Sequence, residues 1–186
     1  MEIAYTARNK FNPTFGDSWT KYIEWCKLKQ LEELISLDAV LCETSFVADL
    51  KSTETWENAF DLNSAYFADI YKSISYILSK VGTKTEFNLL AVAFEPNEEC
   101  GDLKLDNFKF IGYDLLDQDH STSALTNCGG FEETFNNSEL NKNGLIDTYE
   151  RAVEIKRNLL INNEEEYHAD TNLWAVWRHK TIGQKE

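Results

Sequence analysis

Apolar positions recur along the chain with two different spacings, and each spacing marks a kind of element. After Asp17 or Ser18, either of which can cap a helix, Trp19, Tyr22, Ile23 and Cys26 fall at i, i+3, i+4 and i+7. That is one face of a 3.6-residue period. A longer stripe runs through Phe67, Ile70, Ile74, Ile77, Leu78 and Val81, with Asn63 or Ser64 to cap it and Gly82 to stop it. A third helix is predicted after Asp147, which with Glu150 makes a start like a capping box. Ile146, Tyr149, Ala152, Val153, Leu159 and Leu160 form its apolar side, and Asn162 and Asn163 can end it.

The second spacing is two. In "EELISLDAVLC", Ile35, Leu37, Ala39 and Leu41 alternate with Ser36, Asp38, Val40 and Cys42, which favours a strand, although Leu31, Leu34 and Ile35 also fit helical spacing. Residues 43 to 63 carry weaker signals, with a helical turn at most around "TETWENAF". "FNLLAVAF" is apolar at almost every position, as for a central strand covered on both faces, and Pro96 ends its pairing. "FKFIGYDLLD" reads as a second central strand, joined to the first through the turn-prone "EPNEECGD" in a hairpin. "STSALTNC" is a third strand or an extended loop, and "TNLWAVWRHK" a last strand in which Trp174 and Trp177 face opposite ways.

The order is helix, strand, helix, strand, strand, possible strand, helix, strand. Without regular alternation of strand and helix a parallel sheet is disfavoured. The expectation is an α+β fold, a mainly antiparallel sheet of about four to five strands with helices packed on it. Residues 1–186 form a single acidic globular domain, a length within the usual range for one.

The N-terminal "MEIAYTARNKFNP" lacks a basic stretch followed by an apolar run, and no stretch approaches the ~18 apolar residues of a membrane span. A cytoplasmic protein without a membrane partner is expected. Cys26, Cys42, Cys100 and Cys128 contain no CxxC pair, so they are read as reduced thiols in that compartment.

Charge sharpens the picture. Eighteen basic and 32 acidic residues give a formal net charge of -14, which disfavours nucleic acid as a partner. The acidity is regional, because residues 95–150 hold 13 Asp and Glu against three lysines. Such a region is either a solubilising surface or a face for a basic protein, whose capture opposite charges accelerate. The candidate contacts are Glu98, Glu99, Asp102, Asp117 and Asp119, with Trp174 as an aromatic anchor.

Candidate chemistry is sparser. Cys128 precedes Gly129 and Gly130, where a thiolate would have backbone amides beside it, and His168 or His179 would be its base, with Asp170 orienting. Against that stand the absence of any cysteine-hydrolase signature and the nearby Glu132 and Glu133, which raise a thiol pKa. Asp117, Asp119, His120, His168 and Asp170 include metal-ligating types, yet no spacing matches HExxH or a calcium loop, so no metal is expected. GxGxxG, GxxxxGK[ST] and GxSxG are absent, and no cofactor is expected.

The runs "LTNCGGFEETF", "FIGYDLLD" and "HADTNLWAVWRHK" resemble a group of small bacterial proteins of this size with no assigned activity. In size, acidity and lack of motifs the chain is also similar, as a class, to immunity proteins of bacterial toxin systems. That likeness implies a non-enzymatic inhibitor whose acidic surface neutralises a basic toxin domain, such as a nuclease. The alternatives are a cysteine-dependent hydrolase or transferase using Cys128 and His168, and a structural or adaptor protein. The oligomeric state is left open.

Overall fold

A computed structural model describes residues 1–10, 18–47, 49, 51–56, 69–82, 86–118, 122–126, 131, 134–163 and 165–183, without the side chains at 18 and 19. Four strands form one open antiparallel sheet: β1 (Ala4–Asn9), β2 (Phe87–Phe94), β3 (Phe108–Asp117) and β4 (Thr171–His179), in the order β1-β2-β4-β3. With helices α1 (Ser18–Trp25), α2 (Ile74–Val81) and α3 (Tyr149–Asn162) this is an α+β fold, as the periodicities predict.

The sheet buries both of its faces. On one, Leu89, Ala91, Tyr113, Leu115, Leu173, Ala175 and Trp177 pack with Ile77 and Val81 of α2 and Ala152, Ile155 and Leu159 of α3. On the other, Leu90, Val92, Leu116, Trp174 and Val176 pack with Ile35, Leu37, Trp56 and Leu145, which come from loops. β2 therefore reads as a continuous apolar run, since residues on either side of it are covered.

Several expected elements differ. β2 and β3 do not form a hairpin: β4 lies between them and pairs antiparallel with each. Residues 95–107 instead carry the chain back from the end of β2 to the start of β3. β1 was not expected, and it pairs with β2 over Ala4–Asn9.

Residues 34–38 are not a strand but a buried loop followed by a turn. Ser36 and Asp38 look like the wet side of an alternating pattern, yet both are buried and hydrogen-bonded. The second helix begins at Ile74, capped by Ser73, because Tyr71 exchanges backbone hydrogen bonds with Tyr5, each 2.8 Å, which holds Tyr71 in a β-bridge and out of the helix. The caps expected at Asn63 or Ser64, and Phe67, lie outside the described residues.

α3 begins after Thr148, since Ile146 is bridged to Tyr113 of β3. Its buried stripe is Ala152, Ile155 and Leu159, while Val153 and Leu160 face outward. In "STSALTNC", Ser123 makes a single bridge to Leu116 and residues 124–126 turn away.

β3 shifts register between Phe110 and Gly112. Gly112 has φ +134°, and a Cβ there would stand 2.7 Å from Leu145 Cβ and 2.8 Å from the Ile146 carbonyl oxygen. Only glycine lets the bulged strand pass this close to the 145–146 segment.

Candidate functional site

The acidic region divides once it is folded. Asp114 and Asp117 are 0% exposed, so they belong to the interior. Glu98, Glu99, Asp102 and Asp106 lie exposed along the 95–107 crossover. Asp119 lies outside the described residues.

Glu99 organises this crossover. Its Oε1 accepts from the amides of Cys100 (3.0 Å) and Gly101 (2.9 Å) and from the Tyr113 hydroxyl (2.7 Å). Its Oε2 accepts from the amide of Tyr149 (3.0 Å), the first residue of α3. Thr148 makes no side-chain cap, so a carboxylate from a distant loop satisfies a free amide at the helix start, where the helix dipole favours negative charge. Burial pushes the Glu99 carboxyl up, but the donors from Tyr149, Tyr113, Gly101 and Cys100 outweigh it and hold its pKa below the usual range.

The rest of the segment is fastened on both sides of Glu99. Cys100 is buried at 1% exposure, and its amide also reaches the Tyr113 hydroxyl at 2.7 Å. Glu95 accepts from the Leu173 amide (2.7 Å) and pairs with Lys156 of α3 (2.5 Å). Glu98, Asp102 and Asp106 are left pointing to solvent from a backbone fixed to β3, β4 and α3.

Asp117 and Trp174 are corrected as surface contacts. The Asp117 carboxylate meets His168 Nδ1 at 2.6 Å and also accepts from the Thr122 amide. Trp174 is 0% exposed and packs edge-on against Trp56 and Phe94, with ring centroids 5.4 and 5.0 Å away. Alternation along β4 places it on the loop-covered face. Among the described side chains the exposed tryptophan is Trp25, at 76%.

The orienting contact expected in the cysteine site is not made. Cys128 lies outside the described residues. His168 is oriented by Asp117, not by Asp170, whose carboxylate accepts from Gln118 Nε2 at 2.9 Å. His179, the other possible base, accepts from the amides of Thr181 and Ile182 at Nδ1. Burial, together with the neighbouring Lys180, lowers its pKa.

Cys42 and Cys100 are buried free thiols, whereas Cys26 is disulfide-bonded, so the four cysteines are not all reduced. Of the expected metal-ligating types, Asp119 and His120 lie outside the described residues. Among the described residues no group of three or more His, Cys, Asp or Glu is placed to hold a metal ion.

One further polar cluster was not legible in the sequence. Asp114 accepts from the hydroxyls of Ser36 and Ser123, both at 2.6 Å, and from the amides of Leu37 and Leu115. Asp38 accepts from the amides of Val40, Leu41 and Ser123. Burial raises the Asp38 pKa, opposed by those amides and reinforced by the nearby Asp114. The cluster ties the 34–42 loop to β3 and is sealed from solvent, so its chemistry is structural.

No protein-family model, curated protein or solved structure matches this chain. What fold and site define is an α+β protein with an open four-stranded antiparallel sheet and a fastened, acidic surface crossover. Among the described residues no helix is long and apolar enough to cross a membrane.

Proposed function

We propose that this chain is a non-enzymatic, immunity-like inhibitor that captures a basic protein, such as a toxin domain with nuclease activity, on its acidic crossover. The observation that carries the reading is the Glu99 clamp. A loop held by four hydrogen bonds to one carboxylate presents Glu98, Asp102 and Asp106 without having to be ordered on binding. Pre-organisation of this kind lowers the entropy lost in a complex, and exposed acids steer a cationic partner in. Glu98 and Asp102 keep the contact role that the sequence suggests, Asp106 joins them, and Glu99 becomes the residue that positions them.

The resemblance to small bacterial proteins belongs to the same proposal, as does a cytoplasmic location. The disulfide at Cys26 pulls the other way, since such bonds persist where cellular reductants do not reach. A cytoplasmic inhibitor would carry Cys26 reduced in the cell, which acid-quenched alkylation of fresh extracts reads directly.

The test of function is calorimetric titration with the purified product of the neighbouring gene. Reversing Glu98, Asp102 and Asp106 to lysine together is expected to weaken binding and flatten its salt dependence. Unchanged affinity in the triple variant would remove the crossover from the interface.

A further inference from the structure

At one end of the sheet the sign of the surface reverses. A cleft of about 480 Å³ opens between the start of β3, the end of β4 and the loops at 32–33 and 142–143. Lys109, Lys142, Arg178 and Lys180 line it, against Glu32 and Glu33. In a chain of net charge -14 this is a local excess of cations.

The charge of the two acids is already offset, although their carboxylates keep lone pairs that can accept further hydrogen bonds. Glu33 pairs with Arg178 at 2.9 Å, and Glu32 pairs with Lys142 at 2.7 Å. Lys109 and Lys180 have no ion pair among the described residues and are both exposed. Lys109 is moreover the direct cross-strand partner of Arg178. Like charges placed opposite one another destabilise a sheet, and Glu33 offsets only the Arg178 side of this pair, leaving Lys109 without a counter-charge among the described residues.

The lining includes two buried polar residues, Asn143 and His179. Behind that lining Asn88, 1% exposed, donates from Nδ2 to Glu33 at 3.1 Å and helps hold that carboxylate in place. His179 accepts two amides at Nδ1 and its pKa is lowered, so its neutral ring carries the proton on Nε2, as a donor. The volume falls in the range of small-molecule sites.

We propose that this cleft binds a small phosphate-bearing polyol. Lys109 and Lys180 take the phosphate, and the carboxylates of Glu32 and Glu33 accept from its hydroxyls. The proposal is independent of the acidic crossover, since none of the cleft residues lies on residues 95–107.

The test is titration of the isotope-labelled full chain with glycerol 3-phosphate, inorganic phosphate and glycerol, followed by amide chemical shifts. Saturable shifts at residues 109, 111, 178 and 180 are expected with glycerol 3-phosphate, weaker ones with inorganic phosphate, and none with glycerol. The K109A/K180A variant replaces two exposed lysines and should fold, which circular dichroism checks, while binding falls by at least about tenfold, the scale of one charged contact. K104A, on the crossover, should bind as the parent does. Shifts with no saturation, or unchanged binding in K109A/K180A, would overturn the site.

Discussion

The Tyr113 hydroxyl, on the central part of β3, donates to the Glu99 carboxylate at 2.7 Å while accepting the Cys100 amide at the same distance. One phenol thus joins the sheet to the crossover. Tyr113→Phe removes the donor to a charged group and orphans none of the other donors to Glu99. It is expected to cost about 1–3 kcal/mol in urea unfolding.

Glu99→Gln tests the same clamp through pH. Because the Glu99 pKa is held below the usual carboxylate range, its folded state releases a proton more readily than its unfolded state. Its contribution is therefore present above the ordinary carboxylate range and is lost as pH falls through the folded pKa. The stability gap between parent and Glu99→Gln should be largest near neutrality and close in acid. A gap independent of pH would mean that the carboxylate charge contributes nothing.

Asp114 is a heavily committed interior carboxylate, accepting two hydroxyls and two amides at 0% exposure. Asp114→Ala would strand Ser36, Ser123 and the Leu37 amide without their acceptor. Each such group costs about 1–3 kcal/mol, so a loss on the order of 3 kcal/mol or more is expected. Ser36→Ala removes one donor, leaves Asp114 three and strands only the Asp38 amide that Ser36 Oγ accepts, so it should cost less. Denaturation midpoints of the two variants separate these cases.

How far the fold could be read follows from the same residues. Periodicity placed α1, β2, β3 and β4, because apolar residues there meet a core on one side or both. It missed β1, where the buried positions include Thr6 and Arg8, the latter paired with Asp69 at 3.0 Å, so a hydrophobic alternation is never completed. It misread residues 35–42 because Ser36 and Asp38 take their partners from β3 and from the 123 turn, some 80 positions away. Strand order was beyond it, as nothing between Phe94 and Phe108 tells that a strand from the far end of the chain will enter between them. Of the site, the exposure of Glu98 and Asp102 was legible as charge, while the clamp by Glu99 depends on a helix start and a tyrosine brought together only by folding.

Trp174 and Trp25 give a direct contrast between core and surface. Trp174→Ala would open a cavity beneath Trp56 and Phe94 and is expected to cost about 3–5 kcal/mol. Trp25, at 76% exposure, should be replaceable by alanine within about 0.5 kcal/mol. If the crossover alone forms the interface, Trp25→Ala also leaves partner affinity unchanged.

Cys42 supplies a clock for opening of the buried 34–42 loop. It is 1% exposed, and burial pushes its pKa up to about 12, so at neutral pH almost none of it is thiolate in the folded state. Iodoacetamide attacks only thiolate, and alkylation must therefore pass through an opened state in which both access and an ordinary pKa return. The native labelling rate at Cys42, followed by peptide mass spectrometry, is expected to lie orders of magnitude below that of a free cysteine. In the regime where reclosing outruns alkylation the rate follows the opening equilibrium, so each 1.4 kcal/mol lost in Asp114→Ala should speed it about tenfold. Ser36 and Asp114 tie down the 34–42 loop to which Cys42 belongs, which makes this variant a sharper probe than one on the helical face. Rapid labelling of the native parent would show that the loop opens without unfolding and that the Asp114 cluster does not seal it.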